Sequence, residues 1–325
     1  MEMIESAVGA LRWVMNLKER ERLLIVVDDE KRKIGNAFAE GGKHLGADVE
    51  FYVLSGSRPF QEVPLDLGRM IQGKDVIINA FRGIPEETPF RIGLVRIETD
   101  AGARVGHAPG ITESMMTEGP MTADYESVAR TAEDMMAAFI GAVKVHLRAP
   151  SGTDILLSVS ERQFDTDAII KKGRMGNLPS GEIWCAPIED GADGVIVCDG
   201  SVGDLGQVPS PLTIEVVSGK IQSIRGDPDS FVRQVNELVH LDDMASVIGE
   251  LGIGINPKAR ITGNLLEDEK AGRTSHIAFG NNENMPGGKN TSRTHRDFLF
   301  HSPTLVTTYL DGSTRTLIRA GEIRV

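Results

Sequence analysis

Five side chains in the second half of the sequence have the chemistry of ligands that hold a divalent metal ion through nitrogen and oxygen: Glu182, Glu250, His276, His295 and Asp297. Side chains two apart on a strand point the same way. His295 and Asp297 in H-R-D therefore converge, while Phe298 and Phe300 face the other side. In GELGIGI, Glu250, Gly252 and Gly254 make one face and Leu251, Ile253 and Ile255 the other. Two glycines beside a strand carboxylate predict an open trough. In SHIAFG, His276 and Ala278 share a face opposite Ile277 and Phe279. A single H-x-D or a single strand Glu is ordinarily a solvated or capping feature; the metal reading rests on their coincidence in one chain.

Two histidines and three carboxylates exceed the three protein ligands of a catalytic zinc. A carboxylate can bridge, so the set suits a pair of ions about 3.5–4 Å apart that clamp a water and a carbonyl or phosphoryl oxygen. The helical H-E-x-x-H zinc motif is absent from the sequence.

The elements that must position these residues fall into two halves. Residues 1–150 read as an α/β domain: RLLIVVDDE, VEFYVL and DVIINAF are buried strands separated by helices, the order of a parallel sheet. A helix over residues 2–19 puts Ile4, Ala7, Leu11 and Val14 on one stripe. The stretch from RIGLVRIETD to EGPM reads as strand pieces and loops, with His107 in a loop. Asp28, Asp29 and Glu30 stand where a dinucleotide phosphate would sit, and no G-x-G-x-x-G or P-loop is present, so a nucleotide site is not expected. Residues 151–325 read as a β-rich α+β domain carrying the metal ligands, with hairpins turning at Ser218-Gly219 and Asp311-Gly312, a helix over DPDSFVRQVNELVHL and a charged turn at LLEDEKAG.

Composition narrows the partners. The formal charge of −12 with few aromatic residues opposes nucleic acid. No apolar run approaches the ~18 residues of a membrane span, and the N-terminus does not read as a signal peptide. Two cysteines, Cys185 and Cys198, outside any C-x-x-C pattern fit a reducing cytoplasm.

At NLPSGE (177–182), the GE of GELGIG (249–250), DEKAGRTSHIAFG (268–280) and HRD (295–297) the sequence resembles the thermophilic metalloproteases, or aminopeptidases of the T and S type, with a weaker match from LLIVVDDE through VEFYVL. The resemblance implies a two-domain, typically homodimeric enzyme that removes N-terminal residues from peptides. It implies that Glu182, Glu250, His276, His295 and Asp297 are ligands of two divalent ions (Zn, Co or Mn), with Glu182 and Glu250 bridging or base-like. The family carries a tyrosine seven residues after the histidine of SHIAFG; here Glu283 stands at that place, and the chain is shorter than the typical member. The sequence is also similar to a related branch, the 2,5-dihydroxypyridine dioxygenases, in its α/β start, PSG turn, GINPKAR (254–260) and terminal H-x-D. That branch implies one Fe(II) held by two His and one carboxylate, and lacks Glu at the positions of Glu182 and Glu250. A non-catalytic metal-binding protein is the third reading. It calls for a site closed to solvent, against which glycines 252, 254, 287 and 288 suggest access for a peptide or small-molecule substrate.

Overall fold

A computed structural model describes residues 2–325. The chain divides into two compact units, Met1–Arg130 with Asp167–Gly181, and Thr131–Thr166 with Glu182–Val325. Strands Ala142–Arg148 and Asp154–Ser158 pair with each other, so the chain remains within one sheet as it passes residue 150.

The first unit is an α/β layer, as the strand–helix alternation requires. Its five strands run parallel in the order Asp48–Leu54, Arg22–Asp28, Val76–Ala80, Arg104–His107, Met175–Asn177. Leu24, Val26, Ile77 and Val105 of the sheet pack with Leu67, Ile71, Phe90 and Leu94 of the helices Leu65–Ile71 and Thr88–Asp100 in a sealed core. The segment RIGLVRIETD is part of that second helix rather than strand pieces. Its β-branched residues read as strand by propensity, but Pro89 in the first turn starts a helix, and a parallel sheet needs a crossover there. His107 ends a buried strand instead of lying in a loop; burial, with the charge of Arg91 adding, pushes its pKa down to about 3. The N-terminal helix is shorter than expected, Met3–Gly9 followed by a wider turn at Ala10–Val14, and Ile4 stays exposed while Ala7, Leu11 and Val14 are buried.

In open α/β sheets a ligand crevice forms at the carboxyl ends of the strands where the strand order reverses. Here Asp28 ends the first strand at that point and is fully engaged by protein. It accepts from the Lys31 and Arg82 amides at 3.0 and 2.8 Å and pairs with Arg58, which reaches on to buried Glu87 at 2.9 Å. An ionic network fills the place of a nucleotide phosphate.

The second unit is built on two antiparallel sheets. The eight-stranded sheet contains both expected hairpins: Leu212–Val217 with Lys220–Arg225, turning through Ser218 and Gly219 at φ 48° and 75°, and Thr304–Tyr309 with Thr314–Arg319. The helix Asp229–Val239 begins after Pro228 without a side-chain cap, so neither Asp227 nor Asp229 caps it. The seven-stranded sheet carries the candidate ligands on four adjacent strands, in the order His295–His301, Thr274–Gly280, Ile248–Gly254, Glu182–Cys185. Among the described residues no helix is long and apolar enough to cross a membrane.

Candidate metal centre

Register brings the five side chains to one face. Residues opposite each other in an antiparallel pair point to the same side. Glu182 is opposite Gly254, Gly252 opposite His276, Glu250 opposite Ala278, Ala278 opposite Asp297, and Gly280 opposite His295. One face of four strands thus gathers the acids, the imidazoles and several very small residues, with Trp184 opposite Gly252 and Leu299 opposite His276 on the same face. The other face holds Ile277, Phe279 and Phe298 in the core, the two rings edge-on at 5.8 Å. The expected division into ligand and anchor faces holds in all three central strands.

The glycines of that face do not form an open trough. A Cβ at Gly252 would overlap the His276 imidazole, and one at Gly254 would overlap the Ala271 carbonyl. The missing side chains make room for protein. Gly288 likewise lies against Asn282. Access lies elsewhere: the side chains of Glu182, Glu250, His276 and Asp297 are at most 9% exposed, whereas that of His295 is 30% exposed.

Ligand atoms of Glu182, Glu250 and His276 all lie within 4.8 Å of one another, and so do those of Glu250, His295 and Asp297. Glu250 belongs to both groups. Its Oε1 stands 3.4 Å from His276 Nε2 and its Oε2 3.1 Å from His295 Nε2. His276 Nε2 is 3.8 Å from Glu182 Oε2, and His295 Nε2 is 3.4 Å from Asp297 Oδ1. Most of these gaps are too wide for good hydrogen bonds. Both ring nitrogens of His276 and both carboxylate oxygens of Asp297 are buried and have no hydrogen-bond partner among the described residues. Buried polar atoms are ordinarily paired; this nitrogen-and-oxygen set fits a divalent cation. His295 is oriented for the role. Its Nδ1 lies 2.7 Å from the Asn281 carbonyl, which fixes Nδ1 as the donor and turns Nε2 toward the acids.

The charges of the site confirm its tension. Burial pushes the Glu250 carboxyl up, but the His276 and His295 imidazoles beside it bring it down to about 2. Burial pushes His276 down, yet the Glu250 carboxylate beside it, then the charges of Asp297 and Glu182, raise it to about 9. His295 is raised well above its ordinary range against burial by Asp297 and Glu250. The imidazoles are held as cations by acids gathered around them, and a metal ion would take over that task by displacing the protons.

A model of the thermophilic metalloprotease (M29) family matches residues 112–323. The chain belongs to that family. The M29 chain is 26% identical over 181 residues to aminopeptidase AmpS of Bacillus subtilis; the match covers 49% of this chain and 43% of that relative, less than half its length. Its fold is similar to that of AmpT from Thermus thermophilus, with a TM-score of 0.74 at 17% identity over 99% of each chain. It is also similar to a 2,5-dihydroxypyridine dioxygenase from Pseudomonas putida, with a TM-score of 0.77 at 18% identity over 99% of this chain and 97% of that one.

Three features of the M29 chain's centre are not visible in the residue types alone. Lys270 is fully buried and contacts Glu182 Oε1 and Glu269 Oε2, each at 2.6 Å. The segment LLEDEKAG is not a solvated turn: Asp268 is buried, accepting from Thr262 N at 2.7 Å and Ser201 Oγ at 2.7 Å. Asn281 acts through its backbone, which no side-chain pattern signals. Two charged loop residues near the ligands in sequence are engaged by the protein: Glu283 is exposed and contacts Asn281 Nδ2 at 3.3 Å, and Arg293 donates to Leu241 O at 2.8 Å. The tyrosine hydroxyls are engaged by other residues, Tyr52 with Asp66, Tyr125 with Met121 and the Ser180 amide, and Tyr309 with the Ala138 carbonyl.

Proposed function

We propose that the chain is a metal-dependent aminopeptidase that uses two divalent ions (Zn, Co or Mn) to hydrolyse the first peptide bond of a peptide. The observation that carries this reading is Glu250, whose two oxygens serve two separate ligand triads. Such a carboxylate is the bridge a paired centre needs. Bound ions supply Lewis acidity for the carbonyl and a shared water acidic enough to attack near neutral pH. The chain's own part is positional. Glu182 and His276 would hold one ion, His295 and Asp297 the other, with Glu250 shared between the two groups. His295 forms the open edge where a peptide N-terminus enters. Glu182, with one oxygen held by Lys270, is the base-like carboxylate. Membership of the M29 family supports peptides as the substrate class, and homodimer formation is inferred from the same resemblance. A cytoplasmic location is inferred from two buried free cysteines.

A second reading keeps the dioxygenase alternative, to which the fold is as similar as to the aminopeptidase: one Fe(II) held by two His and one carboxylate. The presence of Glu182 and Glu250 beside His276, His295 and Asp297 supports the first. Metal content per chain, cleavage of aminoacyl anilides and oxygen uptake with a dihydroxylated aromatic ring separate them. Two ions with anilide cleavage uphold the aminopeptidase; one iron with oxygen uptake replaces it; metal with neither activity leaves a binding protein. Sedimentation tests the dimer.

A further inference from the structure

Lys270 is a lysine with no exposed surface, placed directly against a carboxylate of the metal centre. Its backbone is pinned on both sides: its N–H donates to Glu267 O at 3.0 Å, and its carbonyl accepts from Asn256 N at 2.9 Å. The ammonium is therefore held where it is, 2.6 Å from Glu182 Oε1 and 2.6 Å from Glu269 Oε2. A buried charge survives only when paired, and these acids pair it.

The two halves of the centre are unequal as a result. Glu182 offers Oε2 toward His276 while Oε1 is occupied by the ammonium. On the other side both Asp297 oxygens lack a hydrogen-bond partner among the described residues. A cation bound by Glu182 would share that carboxylate with Lys270. Two positive charges on one buried carboxylate repel strongly, because the interior screens them less than water does. What Lys270 contributes in return, the orientation of one carboxylate by one charged hydrogen bond, is smaller.

We propose that Lys270 is a positioning residue that makes the two ion positions unequal, keeping the Glu182–His276 position weak and exchangeable while the Glu250–His295–Asp297 position is tight. This rests on the two-ion reading above.

The test is a cobalt titration of the metal-stripped, full-length protein, followed by visible absorption and by calorimetry. The wild type is expected to take up two ions in steps separated by at least about tenfold in Kd. In Lys270→Met the second step tightens by at least about tenfold and the first stays within about threefold. Lys270→Arg keeps the charge and restores the gap. Because Lys270→Met leaves Glu182 and Glu269 facing each other and can impair folding, E269Q/K270M removes the ammonium together with its second partner. It is expected to tighten the second step as well, since it removes the ammonium 2.6 Å from Glu182 Oε1. E269Q alone, which removes the Glu269 charge that acts on His276 and Asp297, is expected to weaken both steps. A second step unchanged or weaker in a folded variant that lacks the ammonium overturns the assignment. A wild type that saturates with one ion rejects the two-ion reading. In that case, a second ion gained by Lys270→Met still upholds the role of Lys270, and no gain overturns both.

Discussion

Gly252 lies across the strand pair from His276, and a methyl group at 252 would occupy the space of the imidazole. The glycine is required by the ring, not by backbone freedom. Gly252→Ala is expected to push His276 off the face, weakening metal binding by at least about tenfold, and to cost about 1–3 kcal/mol of stability through overpacking. Metal titration and thermal unfolding measure the two effects. Unchanged affinity in a folded Gly252→Ala protein would show that His276 is not a ligand.

Glu250 is the link between the triads, so Glu250→Gln should disable both. The expected outcome is a fall in kcat of about 100-fold or more, with at most one ion retained per chain by elemental analysis. Turnover equal to wild type would remove Glu250 from the mechanism.

Protonation and metal compete for the same imidazoles. His276, raised to about 9, gives the metal-free protein stability that is fully present below its unfolded value near 6.5 and is lost as pH rises through about 9. Glu250, lowered to about 2, gives stability present above its unfolded value near 4.3 and lost as pH falls through about 2. The two belong to one interaction, so metal-free stability from this pair is greatest between about pH 4.5 and 6.5. Metal affinity runs the other way at the alkaline end, increasing from pH 6.5 to 9 as the imidazoles lose their protons. Calorimetry in buffers of different ionisation enthalpy should record about one to two protons released for the pair of ions at pH 7. Binding without proton release would place the ions elsewhere.

Much of this site could be read from the chain because strand alternation is strict. H-R-D, S-H-I-A-F-G and G-E-L-G each sort themselves into a ligand face and a packing face by period two alone. What the period cannot give is the partner across the strand. The glycines at 252 and 254 show that space is needed, but only the register shows that His276 and the Ala271 carbonyl fill it. Lys270 was hidden by its neighbours. L-E-D-E-K-A-G has the composition of a solvated turn, and its burial arises only when Ser201 and Glu182, distant in sequence, close around it together with Thr262. RIGLVRIETD was misread for the opposite reason, since its β-branched residues outvoted a proline at the start of the helix.

Glu283, which stands seven residues after His276, where the resemblance implies a tyrosine, is exposed on the loop that carries Asn281. Its carboxylate contacts Asn281 Nδ2 at 3.3 Å, and the Asn281 carbonyl holds His295 Nδ1 at 2.7 Å. A phenol there could donate to an oxyanion; a carboxylate would oppose one. Glu283→Tyr is expected to raise kcat on aminoacyl anilides by about tenfold or more with little change in KM. A lower kcat at unchanged metal content would show that Glu283 has its own part in turnover.

The loop that carries Asn281 is anchored by Glu189. One oxygen accepts from the Lys289 amide at 2.9 Å and lies 3.4 Å from Asn282 Nδ2; the other takes Arg162 at 2.6 Å, and Arg162 also reaches the Gly287 carbonyl. Burial alone would push the Glu189 carboxyl up, but the backbone amides of Glu189 and Lys289, with Arg162, bring it below its ordinary value. Its contribution to stability is therefore present above its unfolded pKa and lost as pH falls through the lowered one. Glu189→Gln keeps the shape and removes the charge, leaving Arg162, only 7% exposed, without its partner. A loss of about 1–3 kcal/mol is expected, read as a lower Tm, and most of the difference from wild type should vanish at a pH where Glu189 is protonated in both states. Because the same loop orients His295, metal affinity should weaken as well. A destabilised Glu189→Gln protein with unaltered metal affinity would show that the Asn281 carbonyl holds His295 without help from the rest of the loop.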